Sequence, residues 1–517
     1  MEEGYGFLAL LPPLVAIVLC FVTKGVIISL FVGIFTGGII MAKGNPLGGI
    51  TYTLDKIIGS MSDEWNARLL LFNLLMGAGI ALIWRLGGSK ALMNWAKTKI
   101  KTRTQAGVGA WILGVLVFFN DYVNAAIVGN VFRDIFDEFR LSKERLSYIL
   151  DSTAAPVATF FISDWIAFQI GMVQSGLDGA GITDISAFSA YLQGIPFNFY
   201  CIFTVLFVGM LAITGKDFGP MLKAERRTMT TGVAYREGAM PMLDVARELG
   251  EVKETKPMLM TFFLPIIVLI VITLFGFYWT GREGNGLMDI LANADAAKAL
   301  LWGAFYMTII GIIIALYHKI MNVTETMNTV MDGMKLMLLA CSILVLAWSL
   351  GSVTKDMKLA DYIIGVIGDS ISFSYIPLLI FVTGCIISFA TGTSWGTMTI
   401  LTPIAIPLAY KMTGDVYSAV IMSGVVFSGA IFGDHCSPIS DTTVLASIFA
   451  GADHLDHVST QLPYALTCAI VAGILFMVYG MFAISPIVLI PIGIVALFII
   501  MYVANTWSAK KYGITTT

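Results

Sequence analysis

Charged side chains are scarce in this sequence. Asp, Glu, Lys and Arg make up 13% of its 517 residues, about half of the roughly 25% that soluble domains carry. Hydrophobic residues make up 57% and the mean hydropathy is +0.84, which excludes a set of soluble domains. A formal net charge of −3 gives no indication of a nucleic-acid partner, and we expect none.

Cysteine and histidine are also rare, and their spacing indicates neither redox nor metal chemistry. The six cysteines are scattered without paired spacing, so neither a disulfide framework nor a zinc site is expected. Of the four histidines, His454 and His457 form an H-x-x-H pair. Two ligands alone are a weak metal signal, and we expect this pair in a solvated polar loop. No H-E-x-x-H motif occurs, and we expect neither an enzyme nor a bound cofactor.

Long apolar segments are abundant. Stretches of about 18–22 residues recur along nearly the whole chain, which is the length a helix needs to cross a hydrocarbon core about 30 Å thick. We predict an all-α polytopic membrane protein with about 11 spanning helices. The first follows Met1-Glu2-Glu3 without a basic n-region, so we expect a retained helix and not a signal peptide. The predicted spans are residues 7–22, 26–42, 67–84, 146–175, 190–215, 258–280, 298–317, 336–352, 415–450, 463–483 and 486–505.

Two further apolar stretches, residues 106–132 and 375–410, are interrupted by small polar residues. The basic segments 85–105 and 216–257 should both face the cytoplasm by the positive-inside bias. Both reach that side only if 106–132 enters and leaves there, which predicts a re-entrant hairpin. The same bias predicts an inner-membrane protein with its N-terminus outside and its C-terminus in the cytoplasm. The loop 451–462 then also lies inside, although it carries no basic residue.

The order of segments in the first half recurs in the second half from the opposite side of the membrane. Inverted-topology repeats with interrupted helices in matching positions are typical of secondary transporters, and the interruptions mark the binding site. The predicted division is a first inverted repeat over 1–215 (hairpin 106–132, broken helix 146–175), a cytoplasmic basic linker over 216–257, a second inverted repeat over 258–483 (hairpin 375–410, broken helix 415–450), and an extra C-terminal helix and tail over 484–517.

Carboxylates occur at these interruptions. Each charged group at a helix centre costs about 2.5–3.5 kcal/mol to insert, so Asp121, Asp151, Asp434 and Asp441 are functional candidates. Pro438 removes a backbone donor and frees carbonyls beside two of these acids. Since Na⁺ prefers an all-oxygen environment, we predict Na⁺ at Asp434, Asp441 and Asp151.

Other polar side chains at the tips and breaks complete the predicted site. His435 either relays protons, since imidazole titrates near neutrality, or holds Asp434 in place by packing. The candidate ion- or substrate-binding residues are Asn120, Asp121, Asn124, Asp151, Ser152, Thr153, Thr393, Ser394, Thr397, Asp434, Ser437, Asp441 and Thr442.

Residues 433–443 (G-D-H-C-S-P-I-S-D-T-T) closely resemble the GDH-x-SPISDT signature of NhaC-type Na⁺/H⁺ antiporters. Residues 391–397 (T-G-T-S-W-G-T) and 151–157 (D-S-T-A-A-P-V) are also similar to that family. The resemblance covers about residues 105–450. It implies the fold of the ion transporter superfamily, with hairpins and broken helices around a central site, and a homodimer.

One stretch departs from the family pattern. The first tip reads Asn120-Asp121-Tyr122, with one acid where many relatives carry paired acids, which leaves the coupling stoichiometry open. Family members also include malate/lactate exchangers and amino-acid carriers.

Two functions therefore stay open: Na⁺/H⁺ antiport by alternating access, and Na⁺- or H⁺-coupled carriage of an amino acid or organic acid. Both would use the same carboxylates for the coupling ion, so only a need for an organic solute separates them. The expected partners are Na⁺, H⁺, a small organic solute in the second case, the lipid bilayer and a second copy of the chain.

Overall fold

The computed structural model describes most of the chain between residues 5 and 513. Its regular secondary structure in that part is helical, apart from an isolated bridge between Pro241 and Asp453. The internal residues outside the description are 24–25, 89–90, 92–94, 96–97, 119–120, 161–164, 166–168, 170–171, 174–175, 178–179, 186, 242–257, 284–285, 287–289, 291–293, 359–361 and 363–371.

Short 3-10 helices cover Gly6–Leu10, Ile195–Phe197 and Phe373–Tyr375. The described α-helices, numbered in chain order, are α1 Leu11–Thr23, α2 Val26–Met41, α3 Pro46–Ser62, α4 Glu64–Arg85, α5 Arg103–Leu116, α6 Asp121–Glu138, α7 Lys143–Thr153, α8 Ala155–Ala158, α9 Ala187–Gly194, α10 Phe199–Thr214, α11 Gly219–Thr231, α12 Met260–Gly281, α13 Ala296–Tyr317, α14 Val323–Leu336, α15 Leu338–Asp356, α16 Ile376–Thr391, α17 Ser394–Thr413, α18 Val416–Val420, α19 Met422–Cys436, α20 Asp441–Ala450, α21 His454–Phe482 and α22 Pro486–Tyr512.

Several helical stretches are long and apolar enough to cross a membrane, which confirms the predicted all-α polytopic membrane protein. The count of about 11 spans and the inverted repeat stay predictions. The eight such stretches among the described residues are Asn66–Arg85, Phe199–Thr231, Met260–Gly281, Ala297–Tyr317, Phe373–Thr391, Val416–Cys436, His454–Phe482 and Pro486–Tyr512.

Helices α3 and α14 lie outside the predicted spans because they carry charged side chains among their apolar ones. Their starts are encoded by local capping and not by an apolar run. The Asn45 side chain accepts hydrogen bonds from the backbone N–H groups of Leu47 and Gly48, at 3.1 and 3.3 Å. Asn322 and Glu325 form a reciprocal capping box at the start of α14, a recognised sequence signature of a helix N-terminus.

Helices end within each predicted hairpin and broken segment. Helix α16 ends at Gly392, whose φ of +67° is the left-handed conformation that favours glycine. Helix α19 ends before Pro438, which cannot continue the backbone ladder. Helix α7 ends at Ala154, just ahead of Pro156. Much of the remaining part of segment 146–175 lies outside the described residues.

The prediction of a solvated loop around His454 and His457 is wrong. Helix α21 begins at His454 and not at residue 463, and the two histidines are 3% and 0% exposed. Arg236 of the linker covers this end of α21, with its Nε 2.9 Å from a carboxylate oxygen of Asp456. The Asp456 carboxylate raises the pKa of Arg236. Segment 451–462 has no Lys or Arg of its own, and Arg236 of the linker supplies the positive charge there.

A buried ion cluster joins α7 to α11 and to the segment just before it. The Arg145 guanidinium lies 2.9 Å from Asp217 and 3.2 Å from Glu225. All three side chains are no more than 8% exposed. The Arg103 guanidinium, at the start of α5, lies 2.6 Å from the Glu225 carboxylate. The cluster therefore holds three helical segments together through largely buried charges.

Helices α16 and α19 pack with their backbones in contact. A methyl group added to Gly433 would overlap the backbone of Phe389, and one added to Gly429 would overlap that of Phe381. Ser388 donates a hydrogen bond across the same interface to the Ala430 carbonyl. Small residues permit this close approach, as they do at helix interfaces in membranes.

Candidate functional site

The break between α16 and α17 touches the break between α19 and α20. A Cβ added to Gly392 would lie 2.7 Å from the carbonyl oxygen of Ile439. The Ser437 hydroxyl donates to the Phe389 carbonyl over 2.8 Å. Two helix starts, those of α17 and α20, are thereby brought to one place, and helix N-termini carry partial positive charge that favours an anionic side chain nearby.

Asp434 lies at this junction and is 2% exposed. One of its carboxylate oxygens accepts a hydrogen bond from the Ser394 hydroxyl at 2.7 Å, and the other accepts one from the Ser440 hydroxyl at 2.6 Å. Ser394 is the first residue of α17 and Ser440 caps α20. Both breaks therefore supply donors to a single carboxylate, and charge-assisted hydrogen bonds of this kind are stronger than neutral ones.

Asp441 connects the second broken segment to the first hairpin. Its carboxylate accepts a hydrogen bond from the Tyr122 hydroxyl at 2.5 Å. The Tyr122 backbone N–H in turn donates to the Asp121 carboxylate at 3.0 Å, and Asp121 is buried. Tyr122 was not among the predicted site residues, although a tyrosine beside an acid at an interrupted apolar segment was visible in the sequence.

Asp151 is fully buried in α7 and is bound from α21. Its Oδ2 accepts a hydrogen bond of 2.7 Å from the Gln461 side-chain amide and lies 3.8 Å from His457 Nε2. Its Oδ1 has no hydrogen-bond partner within the described part of the chain. Gln461 is not among the predicted site residues, because it falls in segment 451–462, which was predicted to be a loop.

The three carboxylates predicted to bind Na⁺ have different partners in this conformation. No group of three or more His, Cys, Asp or Glu side chains that could hold a metal ion occurs among the residues the structure describes. A shared site at Asp434, Asp441 and Asp151 stays a prediction.

His435 links the two broken segments. One of its ring nitrogens, Nε2, lies 3.0 Å from the Ser152 hydroxyl, and Nδ1 lies 2.6 Å from the Tyr200 hydroxyl on α10. The His435 carbonyl accepts a hydrogen bond from the Gln461 amide. This arrangement suits either predicted role for His435, relay or packing. Tyr200, within an apolar helix, gave no signal in the sequence.

Asn124 and Thr153 bond backbone groups at the helix ends. The Asn124 amide nitrogen lies 2.5 Å from the Gly114 carbonyl, 3.1 Å from that of Val117 and 2.9 Å from that of Thr153. The Thr153 hydroxyl donates to the Ile149 carbonyl of its own helix at 2.8 Å. Asn124 thus satisfies carbonyls left free where α5 and α7 end.

The remaining predicted residues lie around the same breaks. The Thr393 hydroxyl caps α17 by accepting from Gly396 N–H, and Thr397 donates to the Thr393 carbonyl at 2.9 Å. The Thr442 hydroxyl lies 3.0 Å from that of Ser440. Asn120 lies outside the described residues.

Residues 392–396 also match the G-x-S-x-G pattern of serine hydrolases, in which the serine is activated by a histidine. Here the Ser394 hydroxyl donates to Asp434. His435 bonds Ser152 and Tyr200 instead. Ser394 thus donates its hydroxyl hydrogen to a carboxylate, and the histidine next to that carboxylate in the sequence bonds other groups.

The profile of the Na⁺/H⁺ antiporter family matches residues 157–481, more than half of the chain. The chain belongs to the Na⁺/H⁺ antiporter family. The match spans both breaks around Asp434, and it confirms the resemblance inferred from the signature at 433–443.

Several proteins of other organisms are similar to this chain over part or most of their length. An uncharacterized protein of Haemophilus influenzae is 31% identical over 91% of this chain and 90% of its own length. The malate-2H⁺/Na⁺-lactate antiporter of Bacillus subtilis is 40% identical over 18% of this chain and 20% of its own length. The arginine/ornithine antiporter ArcD of Halobacterium salinarum is 27% identical over 38% of this chain and 39% of its own length.

Among solved structures, the YdaH transporter of Alcanivorax borkumensis aligns with 92% of this chain and 99% of its own. The aligned residues are 13% identical and the TM-score is 0.39. A similarity this low does not establish a shared fold.

Proposed function

We propose that this chain exchanges Na⁺ for protons by alternating access, with the coupling carboxylates at Asp434, Asp441 and Asp151. The supporting observation is an electrostatic one. Neither Asp434 nor Asp441 forms an ion pair with Lys or Arg among the described residues. A carboxylate inside a membrane protein without a basic partner must take up a cation or a proton. Competition between Na⁺ and H⁺ for such groups is sufficient to couple their fluxes.

The proposed architecture follows the inverted repeat. Residues 1–215 and 258–483 would form the two repeats, with re-entrant hairpins at 106–132 and 375–410. The contact between Arg236 and Asp456 and a 2.7 Å hydrogen bond from Met240 N–H to Asp453 support placing the linker and segment 451–462 on one side. We assign that side to the cytoplasm of the inner membrane, with the N-terminus outside, the C-terminus inside, and a homodimer as the assembly.

A second candidate is coupled transport of an organic acid or amino acid. It is favoured by the named relatives of Bacillus subtilis and Halobacterium salinarum, which exchange malate with lactate and arginine with ornithine. These relatives match over less than half of their own length, so their substrates do not transfer directly. The hydroxyl-rich helix starts around Ser394 and Ser440 would suit a carboxylate group of such a solute.

The first prediction concerns purified protein in proteoliposomes that contain a pH-sensitive dye. NaCl added without any organic solute is expected to produce saturable proton movement, because Na⁺ displaces protons from the carboxylates. Choline chloride at equal concentration and protein-free liposomes are the controls. Absence of proton movement, together with Na⁺-dependent uptake of labelled malate, lactate or arginine, would replace this function by the second candidate.

The second prediction concerns Tyr122→Phe, which removes the donor to Asp441. A hydrogen bond to a charged group contributes about 1.5–3 kcal/mol, so the apparent KM for Na⁺ is expected to rise roughly tenfold or more. Because the ring and its packing remain, the maximal rate should change much less. The measurement is Na⁺-driven proton movement over a range of NaCl concentrations. Tyr417→Phe at a surface tyrosine, 45% exposed, is the matched control. An unchanged KM would show that this hydrogen bond plays no part in ion binding.

A further inference from the structure

The buried histidines His454 and His457 lie beside the carboxylate site, with His457 Nε2 3.8 Å from the Asp151 carboxylate. They occupy the first turns of α21 and pack against α20 and the α19–α20 break. His454 Nε2 lies 2.8 Å from the Pro438 carbonyl oxygen, and His457 Nε2 lies 2.8 Å from Gln461 Oε1. The Nδ1 atoms of both rings lie near a single side chain, the hydroxyl of Ser447, at 3.0 and 2.8 Å.

The positions of the ring hydrogens follow from the partners. A carbonyl oxygen only accepts, so His454 must carry a hydrogen on Nε2 to bond Pro438. Gln461 uses its amide nitrogen as the donor to Asp151 and to the His435 carbonyl, so its Oε1 is the acceptor and His457 must also carry a hydrogen on Nε2. In their neutral forms both rings therefore present Nδ1 as a lone pair.

The Ser447 hydroxyl has too few hydrogens to bond every acceptor around it. Its hydroxyl has one hydrogen, whereas three acceptors surround it: the two Nδ1 atoms and the Thr443 carbonyl, the last at 2.8 Å. A buried acceptor left without a donor costs about 1–3 kcal/mol. One additional proton on His454 Nδ1 satisfies both rings, because His454 then donates to Ser447 and Ser447 donates to His457, which leaves only the Thr443 carbonyl without the hydrogen of this hydroxyl.

With that proton bound, every donor points in the same direction. His454 donates to Ser447, Ser447 to His457, His457 to Gln461, and Gln461 to Asp151. This series of hydrogen bonds runs from the start of α21, where the linker packs, to the Asp151 carboxylate in the first broken segment. The hydrogen bonds in such a series polarise one another, so the group at one end responds to the protonation state of the group at the other end.

The charges around His454 determine whether it can hold the proton. Burial opposes a charged imidazole at 3% exposure, and the hydrogen bond to the Pro438 carbonyl and the adjacent Asp453 carboxylate counteract only part of that penalty. Other ionisable groups also lie around this end of α21. They are the Asp456–Arg236 ion pair, the Glu144–Arg227 ion pair, the Arg133 guanidinium against Gly451, and His457.

We propose that His454, held by Ser447, is a proton-binding residue of the exchanger that serves the proton-coupled half of its cycle and takes no part in binding Na⁺. This role rests on the proposed Na⁺/H⁺ exchange. It differs from the predicted relay at His435, which bonds Ser152 and Tyr200 and has no contact with Ser447 in the described structure.

The test compares two fluxes in proteoliposomes of the full chain. Na⁺-driven proton movement requires proton binding, whereas exchange of ²²Na⁺ for unlabelled Na⁺ at equal pH requires only the cation site. His454→Gln is expected to lower Na⁺-driven proton movement by about tenfold or more, a modest loss for a proton-transfer group. Its Na⁺/Na⁺ exchange should stay within about twofold of the unmodified chain.

Two further variants complete the test. Ser447→Ala breaks the same chain at its second member and should reproduce the selective loss. Thr460→Val is the matched control on α21, because the Thr460 hydroxyl bonds only carbonyls of its own helix among the described residues. Equal loss of both fluxes in His454→Gln would indicate a structural role and overturn the proposal, as would no loss of either. If the unmodified chain exchanges Na⁺ for Na⁺ but moves no protons, the proposed function itself fails.

Discussion

Replacing Asp434 with asparagine is expected to abolish Na⁺-driven proton movement, with a loss of more than about a hundredfold. The carboxylate is 2% exposed and accepts hydrogen bonds from the two helix starts that meet around it. An amide of the same shape can accept from only one of those hydroxyls, through its oxygen, and it can neither bind a proton near neutral pH nor neutralise a cation. The measurement is proton movement at saturating NaCl, normalised to the amount of reconstituted protein.

The matched control for this prediction is Asp415→Asn in the same segment. The Asp415 side chain caps α18 through the N–H groups of Tyr417 and Ser418. Hydrogen bonds from Ser418 hold the pKa of Asp415 below its ordinary value. Asparagine caps helices about as well as aspartate, so activity should be retained. Substantial transport by Asp434→Asn would remove this carboxylate from the mechanism and direct attention to Asp441.

Replacing Arg145 with methionine is expected to destabilise the protein by about 3–5 kcal/mol, the cost of leaving a buried charge without its partner. Asp217 and Glu225 are 3% and 5% exposed and both rely on this guanidinium, which also donates to the Leu211 carbonyl at 2.8 Å. The measurement is the free energy of unfolding in mixed detergent micelles titrated with a denaturing detergent.

The cause of that loss can be isolated by removing the other charges. Adding Asp217→Asn and Glu225→Gln to Arg145→Met should recover much of the stability, since replacing a whole buried ion cluster is often neutral. Arg236→Met provides the exposed comparison, because a surface ion pair contributes about 1 kcal/mol or less. If the single and triple variants are equally unstable, packing and not charge explains the role of Arg145.

The apolar spans could be predicted from the sequence because a bilayer imposes a simple requirement of length and hydropathy. Helices α12, α13 and α22 lie close to the predicted segments 258–280, 298–317 and 486–505. Helices α3 and α14 could not be found in this way, since their charged residues lower the local hydropathy. Capping residues such as Asn322 and Glu325 were the available signal.

The positions of the breaks could also be predicted, because glycine and proline act on the backbone where they occur. The partners of the acids at those breaks could not. Tyr122 and Asp441 are far apart in the chain, and only the packing of α6 against α20 brings them together. The same applies to Gln461 and Asp151.

The histidines of α21 were predicted wrongly for a different reason. Polar residues near a predicted helix end were assigned to solvent, but the linker and α20 cover them. The burial of His454 and His457 depends on contacts between segments that share no pattern in the sequence. The hydrogen bonds of Ser447 could not have been inferred before these segments were placed together.

The backbone contact between α16 and α19 restricts how the protein can change shape. With Gly429 and Gly433 against the opposite main chain, neither helix can slide along the other without steric overlap, since close-packed interiors do not deform continuously. Asp434 is carried on α19, and the break beside it is bonded to Phe389 of α16. Any motion that turns this carboxylate from one side of the membrane to the other must therefore displace both helices as one rigid piece relative to the rest of the molecule.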